Sequence, residues 1–171
     1  MQIHRTLALA ATWLTIGTAN SQPACSFALL SGKPLIGANA AVFAKVLGPA
    51  TLGKHKNERG WGLTANDIAR VGLRTESAAE ALVMTYAGRV FEADLTYPTT
   101  DLEESTRSLQ SKLSGCAQQK TSDCWIERRG NYYIIEGHSD RLSLSFGDKR
   151  MAGPDARGTP IRCVREHGQT R

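Results

Sequence analysis

The chain has the length of one ordinary domain and a mildly basic composition: it has 171 residues, with 21 Lys or Arg against 16 Asp or Glu and a formal net charge of +5. A chain of this length can bury a hydrophobic core without help. The basic excess is small and scattered, so it argues against a nucleic-acid-binding protein. It favours contact with a protein or an anionic envelope component.

The first residues have the anatomy of a secretory signal peptide. Arg5 precedes an uncharged apolar stretch from Leu7 to Ile16, and the chain then turns polar. Small residues suit cleavage after Ala19 or after Ser21, and the sequence leaves both sites open. We therefore expect a signal peptide over residues 1–21 and a mature protein that is exported, either periplasmic or secreted.

No membrane anchor is expected in the mature chain. The apolar stretch covers roughly half of the ~20 residues that a transmembrane helix needs, and no later segment comes closer. A lipid anchor on Cys25 is not expected either, because only Ala24 of the three residues before it fits a lipoprotein cleavage motif. Removal of residues 1–21 takes away Arg5 and no acid, so the net charge falls from +5 to +4.

Four cysteines indicate two disulfides in an exported chain. Three pairings are possible, and we predict Cys116 with Cys124 because these two are close in sequence. That choice leaves Cys25 with Cys163, a bond that would tie the start of the mature chain to its end. The seven residues between Cys116 and Cys124 include no histidine and form no C-x-x-C motif, so neither a zinc site nor a redox centre is expected.

The mature chain reads as a single domain over residues 22–171, with a Gly- and Pro-rich tail from about residue 149. The run "ANAAVFAKVLGPA" predicts a short helix, which Asn39 can cap and which Gly48 and Pro49 end. The next run, Thr51 to Asp67, is Gly-rich and charged without a period, and we expect a loop.

Residues 34–53, "PLIGANAAVFAKVLGPATLG", resemble the opening of small envelope modules in which a helix precedes a hairpin, such as the outer-membrane assembly lipoproteins. The specific element of this resemblance is a helix stop, which many unrelated proteins use. No functional residue is carried over from it.

Alternation of apolar and polar residues predicts strands in much of the remaining sequence. A weak strand is expected from Ile68 to Arg74, followed by a hairpin of "ALVMTY" and "RVFEADLTY" around Ala87-Gly88. In the second strand of this hairpin, the buried face is expected to carry Phe91, Ala93, Leu95 and Tyr97.

A helix and a meander follow the hairpin. Thr100 and Glu103 predict a capping box at the start of the helix, and Gly115 is expected to end it. "CWIERR", "NYYIIEG" and "RLSLSF" predict three further strands, and "IRCVR" a short edge strand or tether at the C-terminus. The fold class is therefore α+β: an antiparallel sheet, made of a hairpin and a three-stranded meander, with two main helices packed on one face and disulfides as staples.

Three exposed segments combine the residue types that most often contribute binding energy. They are the loop "KHKNERGW", the turn "ERRGNYY" and the polar ring between Cys116 and Cys124. The residues singled out as binding candidates are Lys54, Lys56, Trp61, Lys120, Arg128, Arg129 and Tyr132.

The sequence contains few indications of catalytic or cofactor-binding function. There is no nucleophile elbow, zinc motif, phosphate-binding loop or calcium loop, and no cofactor is expected. Glu92 and Asp94 share a strand face about 7 Å apart, a separation that suits glycosidase-like chemistry. With His138, they form the site of a possible small hydrolase, although alternating charge on the wet side of a strand and a turn at "EGHSD" explain these residues more simply.

We therefore expect a small exported binding or accessory protein of the bacterial envelope, non-enzymatic, and inhibitor-like or partner-binding. The partner would be a protein or an anionic envelope component. A hydrolase that uses Glu92, Asp94 and His138 is the alternative, and a purely structural envelope protein is a third possibility.

Overall fold

The computed structural model describes residues 25–53, 56–120, 124–127, 130–148 and 150. The predicted signal peptide and the "IRCVR" segment lie outside these residues. Within them the chain forms ten strands and three helices. The helices are α1 (Ala41–Leu47), α2 (Ala65–Arg70) and α3 (Leu102–Cys116). The strands are β1 (Ala28–Leu30), β2 (Lys33–Pro34), β3 (Glu58–Thr64), β4 (Leu73–Thr75), β5 (Glu80–Tyr86), β6 (Arg89–Pro98), β7 (Gln119–Lys120), β8 (Trp125–Ile126), β9 (Asn131–His138) and β10 (Arg141–Asp148).

The strands build two antiparallel sheets, and the α+β prediction is confirmed. The large sheet has the order β3-β5-β6-β10-β9-β8-β7, and a small sheet has the order β2-β1-β4. The predicted hairpin is β5 and β6, and the predicted meander is β8, β9 and β10. These two parts join because β10 pairs with β6, with Leu144 opposite Leu95.

One face of the large sheet, called the inner face below, carries the main core. Val83, Leu95 and Leu144 lie fully buried on it. Each helix adds an apolar side to the same core: α1 contributes Phe43, α2 Ile68 and α3 Leu109 and Leu113. The prediction that the helices pack on one face is thus confirmed.

The predicted face of β6 is corrected at its first residue. The register between β5 and β6 shifts so that Met84 pairs with Glu92 and Thr85 pairs with Val90, which leaves Phe91 as an extra, bulged residue. Val90 therefore takes the buried position that was assigned to Phe91, and Phe91 is only half-buried.

The predicted loop from Thr51 to Asp67 is wrong over its second half, which forms β3 and the start of α2. Trp61 and Leu63 alternate with Gly60 and Gly62 in the middle of β3, and glycines at the polar positions of a strand hide the alternation of apolar and polar residues in its sequence. The weak strand predicted from Ile68 to Arg74 is partly helix, because a capping box of Thr64 and Asp67 starts α2, and only β4 is extended.

The boundaries of α3 also differ from the prediction. The side chain of Asp101, one residue after Thr100, caps the helix by accepting a hydrogen bond from the Glu104 amide at 2.9 Å. At the other end the helix continues through Gly115 and finishes at Cys116. Gly115 therefore does not end the helix, and Cys116 belongs to its last turn.

The predicted disulfide pairing is wrong. Cys116 bonds to Cys25, with their Cα atoms 5.2 Å apart, so neither the Cys116–Cys124 bond nor the Cys25–Cys163 bond forms. The reason is the sheet itself: Cys25 belongs to the main core and Cys116 packs against it, whereas Cys124 lies in a separate apolar cluster. Cys124 is disulfide-bonded too.

Within the described part of the chain, we find no helix with the length and apolar character needed to cross a membrane.

Candidate functional site

The face of the large sheet that points away from the helices is called the outer face. Side chains alternate across a strand, and residues paired across strands share a face. The register therefore places Glu92 opposite Gly147, and Asp94 opposite Ser145, on this side. The outer face also includes Glu58, Gly60 and Gly62 of β3, Glu80, Leu82, Met84 and Tyr86 of β5, Thr96 of β6, Ser143 of β10, and Tyr132, Ile134 and Glu136 of β9.

Glu92 and Asp94 form the centre of this face. They are two residues apart on β6, which puts them about 7 Å apart along the strand. Both side chains are half-buried. The Ser145 hydroxyl donates a hydrogen bond to Asp94, and in the described structure no hydrogen bond or cation stabilises the charge of Glu92.

The surroundings favour the neutral form of both carboxyl groups. Burial raises the pKa of Glu92 to about 7, and the negative charges of Asp94 and Glu58 add to this effect. Burial also raises the pKa of Asp94, against the opposing effect of the Ser145 hydrogen bond, and the charge of Glu136 adds to the rise. The pair therefore changes its charge near neutral pH.

A tyrosine ring closes one side of the acidic pair. A Cβ atom on Gly147 would lie only 2.7 Å from the Tyr132 hydroxyl and 2.6 Å from the Phe91 carbonyl oxygen, so only glycine fits opposite Glu92. Burial, followed by the charges of Glu92 and Asp94, raises the pKa of Tyr132 above its usual range.

Apolar side chains border the pair on the other side. Leu52 is 46% exposed and Tyr86 43%, and among the described residues these are the exposed large hydrophobics. Leu52 and Met84 meet over Gly60, where an added Cβ would lie 2.9 Å from the Leu52 Cβ and 2.5 Å from the Met84 Sδ. The outer face thus combines two half-buried acids with an exposed apolar edge.

His138 does not join this pair. It is exposed at the end of β9 and pairs with Arg141, four residues along β10 from the position opposite Asp94. Strand geometry puts it roughly 16 Å from Asp94, beyond the reach of a hydrogen bond or one bridging water. The described residues also contain no group of three His, Cys, Asp or Glu side chains that could hold a metal ion.

Two of the predicted binding residues lie in the interior. Trp61 is 6% exposed, stacks on Phe43 with ring centroids 5.6 Å apart, and donates its indole N–H to the Gly48 carbonyl at 3.1 Å. Tyr132 is 1% exposed. The expectation that these aromatics present contact surface is therefore corrected: Trp61 packs in the core, Tyr132 packs beside Gly147 and with Cys124 and Ile134, and both rings fill space inside the protein.

The basic candidates do not form one surface. Lys56 and Lys120 are exposed, but Lys56 precedes β3 and Lys120 lies on β7, the two edges of the large sheet. Six inter-strand spacings separate these edges, roughly 29 Å. Lys120 lies over the Trp125 ring, 4.8 Å from its centroid. Lys54, Arg128 and Arg129 lie outside the described residues.

A third carboxylate, which the sequence did not single out, has the opposite environment. Glu127 is 5% exposed, and three donors serve it: the Cys25 amide at 3.1 Å, the Tyr133 hydroxyl at 3.1 Å and the Asn131 side-chain amide at 2.6 Å. These bonds fasten residue 25 to the turn between β8 and β9. Glu127 also lines a groove of about 670 Å³ beside Lys33 and Arg150.

The sequence contained part of the signal for the outer face. It placed Glu92 and Asp94 on one side of a strand, and the alternation of "RLSLSF" placed Ser143 and Ser145 on one side of another. Their juxtaposition depends on the pairing of β6 with β10, two strands separated by α3 and the first part of the meander. No local sequence pattern predicts that β6 pairs with β10.

Comparisons of the chain with protein-family models, with curated proteins and with solved structures found no match. Any function is therefore inferred from the chemistry of the protein's own surfaces.

Proposed function

We propose that this is a small, exported, non-enzymatic binding protein of the bacterial envelope, which recognises a protein partner with the outer face of its large sheet. Export is inferred from the basic and apolar start of the chain, with cleavage after Ala19 or Ser21. The disulfide between Cys25 and Cys116 is consistent with an oxidising compartment.

The observation that carries the proposal is the acidic pair beside an apolar edge. Glu92 and Asp94 are half-buried without a neighbouring cation in the described structure, and Leu52 and Tyr86 lie exposed nearby. Partly desolvated carboxylates gain most from a charge-assisted hydrogen bond that a partner supplies. A partner segment that presents Lys or Arg together with apolar side chains fits this face.

The charge of this face favours a protein over an anionic polymer as the partner. Glu58, Glu92, Asp94 and Glu136 all contribute to the electrostatics around the pair, and an anionic chain would be repelled from them. An anionic envelope component would instead need the basic side chains, of which Lys56 and Lys120 lie at opposite edges of the sheet.

The experiment is capture of a partner from envelope extract by tagged mature protein and by matched variants. Glu92→Gln/Asp94→Asn removes the acidic pair, and Tyr86→Ala removes part of the apolar edge. Glu103→Gln/Glu104→Gln removes two exposed acids from α3, and at pH 8, where Glu92 is mostly ionised, it is the control with nearly the same charge change. We expect capture to be lost with the first two variants and kept with the control.

Other outcomes of the same experiment are informative. Equal capture by all three variants contradicts the proposed surface. Loss of capture with Lys56→Ala or Lys120→Ala, but not with the acidic variants, indicates an anionic ligand at a sheet edge. Capture of nothing by any form favours a purely structural role.

One observation favours a glycoside hydrolase as a second candidate. Inverting glycosidases use two carboxyl groups separated by about 6.5–9.5 Å, one of them with a raised pKa. Glu92 has such a raised pKa, and its position on β6 is about 7 Å along the strand from that of Asp94, on the same face. His138 has no part in such a mechanism. The candidate predicts release of reducing sugars from envelope glycans by the mature protein and none by Glu92→Gln; no release by the unaltered protein excludes it.

A further inference from the structure

The groove of about 670 Å³ beside the small sheet is separate from the proposed partner site. Its walls come from the turn between β1 and β2, from the segment that leads into α1, and from the paired ends of β9 and β10 at Asn131 and Asp148. Pockets that hold small-molecule ligands have volumes of roughly 300–1,000 Å³, so this groove has the size of a ligand site. Its described lining includes no residue of the acidic pair or of the apolar edge.

Main-chain hydrogen bonds fix the wall that leads into α1. The Gly37 N–H donates to the Val90 carbonyl at 2.8 Å, and the Val90 N–H donates to the Ala38 carbonyl at 3.0 Å. On the other side, the Leu35 N–H donates to the Ala28 carbonyl at 3.0 Å. The segment is thus tied to β6 and to β1, and a ligand could bind without first ordering this wall.

Part of the groove is apolar and accessible. Ile36, Ala38 and Val42 line it, and all three are half-buried. Pro34 lines it as well and is exposed. An apolar chain that lies against these side chains is removed from water together with them, which favours binding in proportion to the area covered.

Two cations of the groove have no acidic partner among the described residues. Lys33 is exposed on β2, and Arg89 is exposed at the start of β6. The Arg89 guanidinium donates from Nη1 to the Gly37 carbonyl at 3.2 Å. This bond positions the guanidinium without neutralising its charge, and it leaves the other N–H donors of Arg89 for a ligand.

The acids of the groove are already hydrogen-bonded. Asp148 accepts from Arg150 Nε at 3.0 Å and from Arg150 Nη2 at 2.7 Å. Glu127 accepts from its three donors and is 5% exposed. The groove therefore offers positive charge to a ligand, at Lys33 and Arg89, and little negative charge.

We infer that this groove binds a small amphiphilic carboxylate. The carboxylate head contacts Lys33 and Arg89, because a guanidinium donates two parallel N–H bonds to a carboxylate. The apolar tail lies against Ile36, Ala38 and Val42. The described lining carries three cations and two acids, so its net charge of +1 matches a head group with a single negative charge.

The first test is isothermal titration of the mature protein with decanoate below its micelle-forming concentration. We expect saturable binding with one site, and weaker binding as salt is added. Decyltrimethylammonium has a tail of the same length and the opposite charge, and it should not bind at this site. Absence of saturable decanoate binding overturns the inference, and so does equal binding of the two amphiphiles.

Variants of the two cations test the head-group contacts. Lys33→Gln/Arg89→Gln should weaken decanoate binding about tenfold or more, because hydrogen bonds to charged groups are lost. Lys45→Gln/Arg74→Gln is the matched control: these two residues are exposed and do not line the groove. Lys33→Gln alone changes an exposed side chain and keeps the test valid if the double variant fails to fold. Unchanged affinity in a folded Lys33→Gln/Arg89→Gln variant or, where that variant does not fold, in Lys33→Gln, overturns the inference.

The position of the ligand is tested by NMR of the nitrogen-15-labelled protein. Decanoate should shift the amide signals of Gly37, Asn39 and Val42. Shifts confined to Leu52 and Tyr86 would place the ligand at the exposed apolar edge and overturn the inference. Capture of a protein partner should be kept in Lys33→Gln/Arg89→Gln, so the groove and the proposed partner site can fail independently.

Discussion

Glu127 and Glu92 are both withdrawn from water, but the protein treats them in opposite ways. Glu127 is nearly inaccessible and accepts hydrogen bonds from Cys25, Asn131 and Tyr133. Glu92 is half-buried, has like charges around it and none of these donors, and its pKa is raised to about 7. Glu127 is therefore a structural carboxylate whose hydrogen bonds stabilise the fold, whereas the charge of Glu92 is available for a bound partner to neutralise.

Removal of the disulfide next to Glu127 is expected to have the largest effect. Cys25→Ser/Cys116→Ser removes the bond between two residues that are 91 positions apart in sequence. A disulfide that closes a loop of this length lowers the entropy of the unfolded chain, and its loss should lower the free energy of unfolding by about 4 kcal/mol. Urea unfolding followed by circular dichroism measures the loss. The main-chain N–H of residue 25 that donates to Glu127 is retained in this variant, and Glu92 lies on the other face of the sheet, so the charge state of Glu92 should stay unchanged. An unfolding free energy equal to that of the unaltered protein contradicts the stapling role.

Replacement of Glu127 tests the structural side of the comparison. Glu127→Ala leaves the Cys25 amide and the Asn131 side-chain amide without this acceptor, while the Tyr133 hydroxyl retains the Cys25 carbonyl oxygen at 3.3 Å, and we expect a loss of about 3 kcal/mol in the free energy of unfolding. Tyr133→Ala is not a suitable control because it removes core volume; Tyr133→Phe deletes one donor and should cost about 1 kcal/mol. A Glu127→Ala variant as stable as the unaltered protein would show that these bonds contribute nothing.

Replacement of Glu92 is expected to act in the opposite direction and to depend on pH. A carboxyl whose pKa rises from 4.5 to about 7 on folding stabilises the fold below pH 4.5, and this stability is lost as the pH rises to 7. Glu92→Gln has no proton to lose, so at pH 8 it should be the more stable form, by on the order of 2 kcal/mol. At pH 4 the two forms should unfold at the same urea concentration. A Glu92→Gln variant that is less stable than the unaltered protein at pH 8 contradicts the burial of an unpartnered acid.

Two glycines of β3 test the apolar edge with the smallest expected effect. Gly60→Ala places a Cβ against Leu52 and Met84, and we expect destabilisation by about 1 kcal/mol. Gly62→Ala is the matched control, because an added Cβ there meets nothing within 4 Å, and alanine in a strand is favoured over glycine by about 0.5 kcal/mol. Thermal unfolding of both variants should therefore give shifts of opposite sign. Equal shifts would show that Leu52 and Met84 do not pack over Gly60.

Local patterns predicted the parts of the fold that depend on neighbours in sequence. The alternation of Leu142, Leu144 and Phe146 was sufficient for β10, and the acids of the first turn were sufficient for α3 within one residue of its cap. β3 was missed because Gly60 and Gly62 hide its alternation. The Phe91 bulge was missed because its cause is the register of the partner strand.

Long-range pairing explains the other errors. Closeness in sequence favoured Cys116 with Cys124, but the sheet separates their surroundings and brings Cys25 to Cys116 instead. Glu92 and Asp94 were correctly placed on one strand face, yet nothing local showed that Ser145 and Gly147 would lie opposite them. The burial that raises the pKa of Glu92 follows from that pairing, so the sequence alone favoured an ordinary solvated face.

The most direct test of the account is the pKa of the Glu92 carboxyl, measured in the mature protein by carbon-detected NMR titration of its side chain. We expect a midpoint near 7, which should fall in Asp94→Asn because one repelling charge is removed. A midpoint near the ordinary value of 4.5 would mean that Glu92 is solvated or already paired. In that case the outer face would hold no unsatisfied charge for a partner to neutralise.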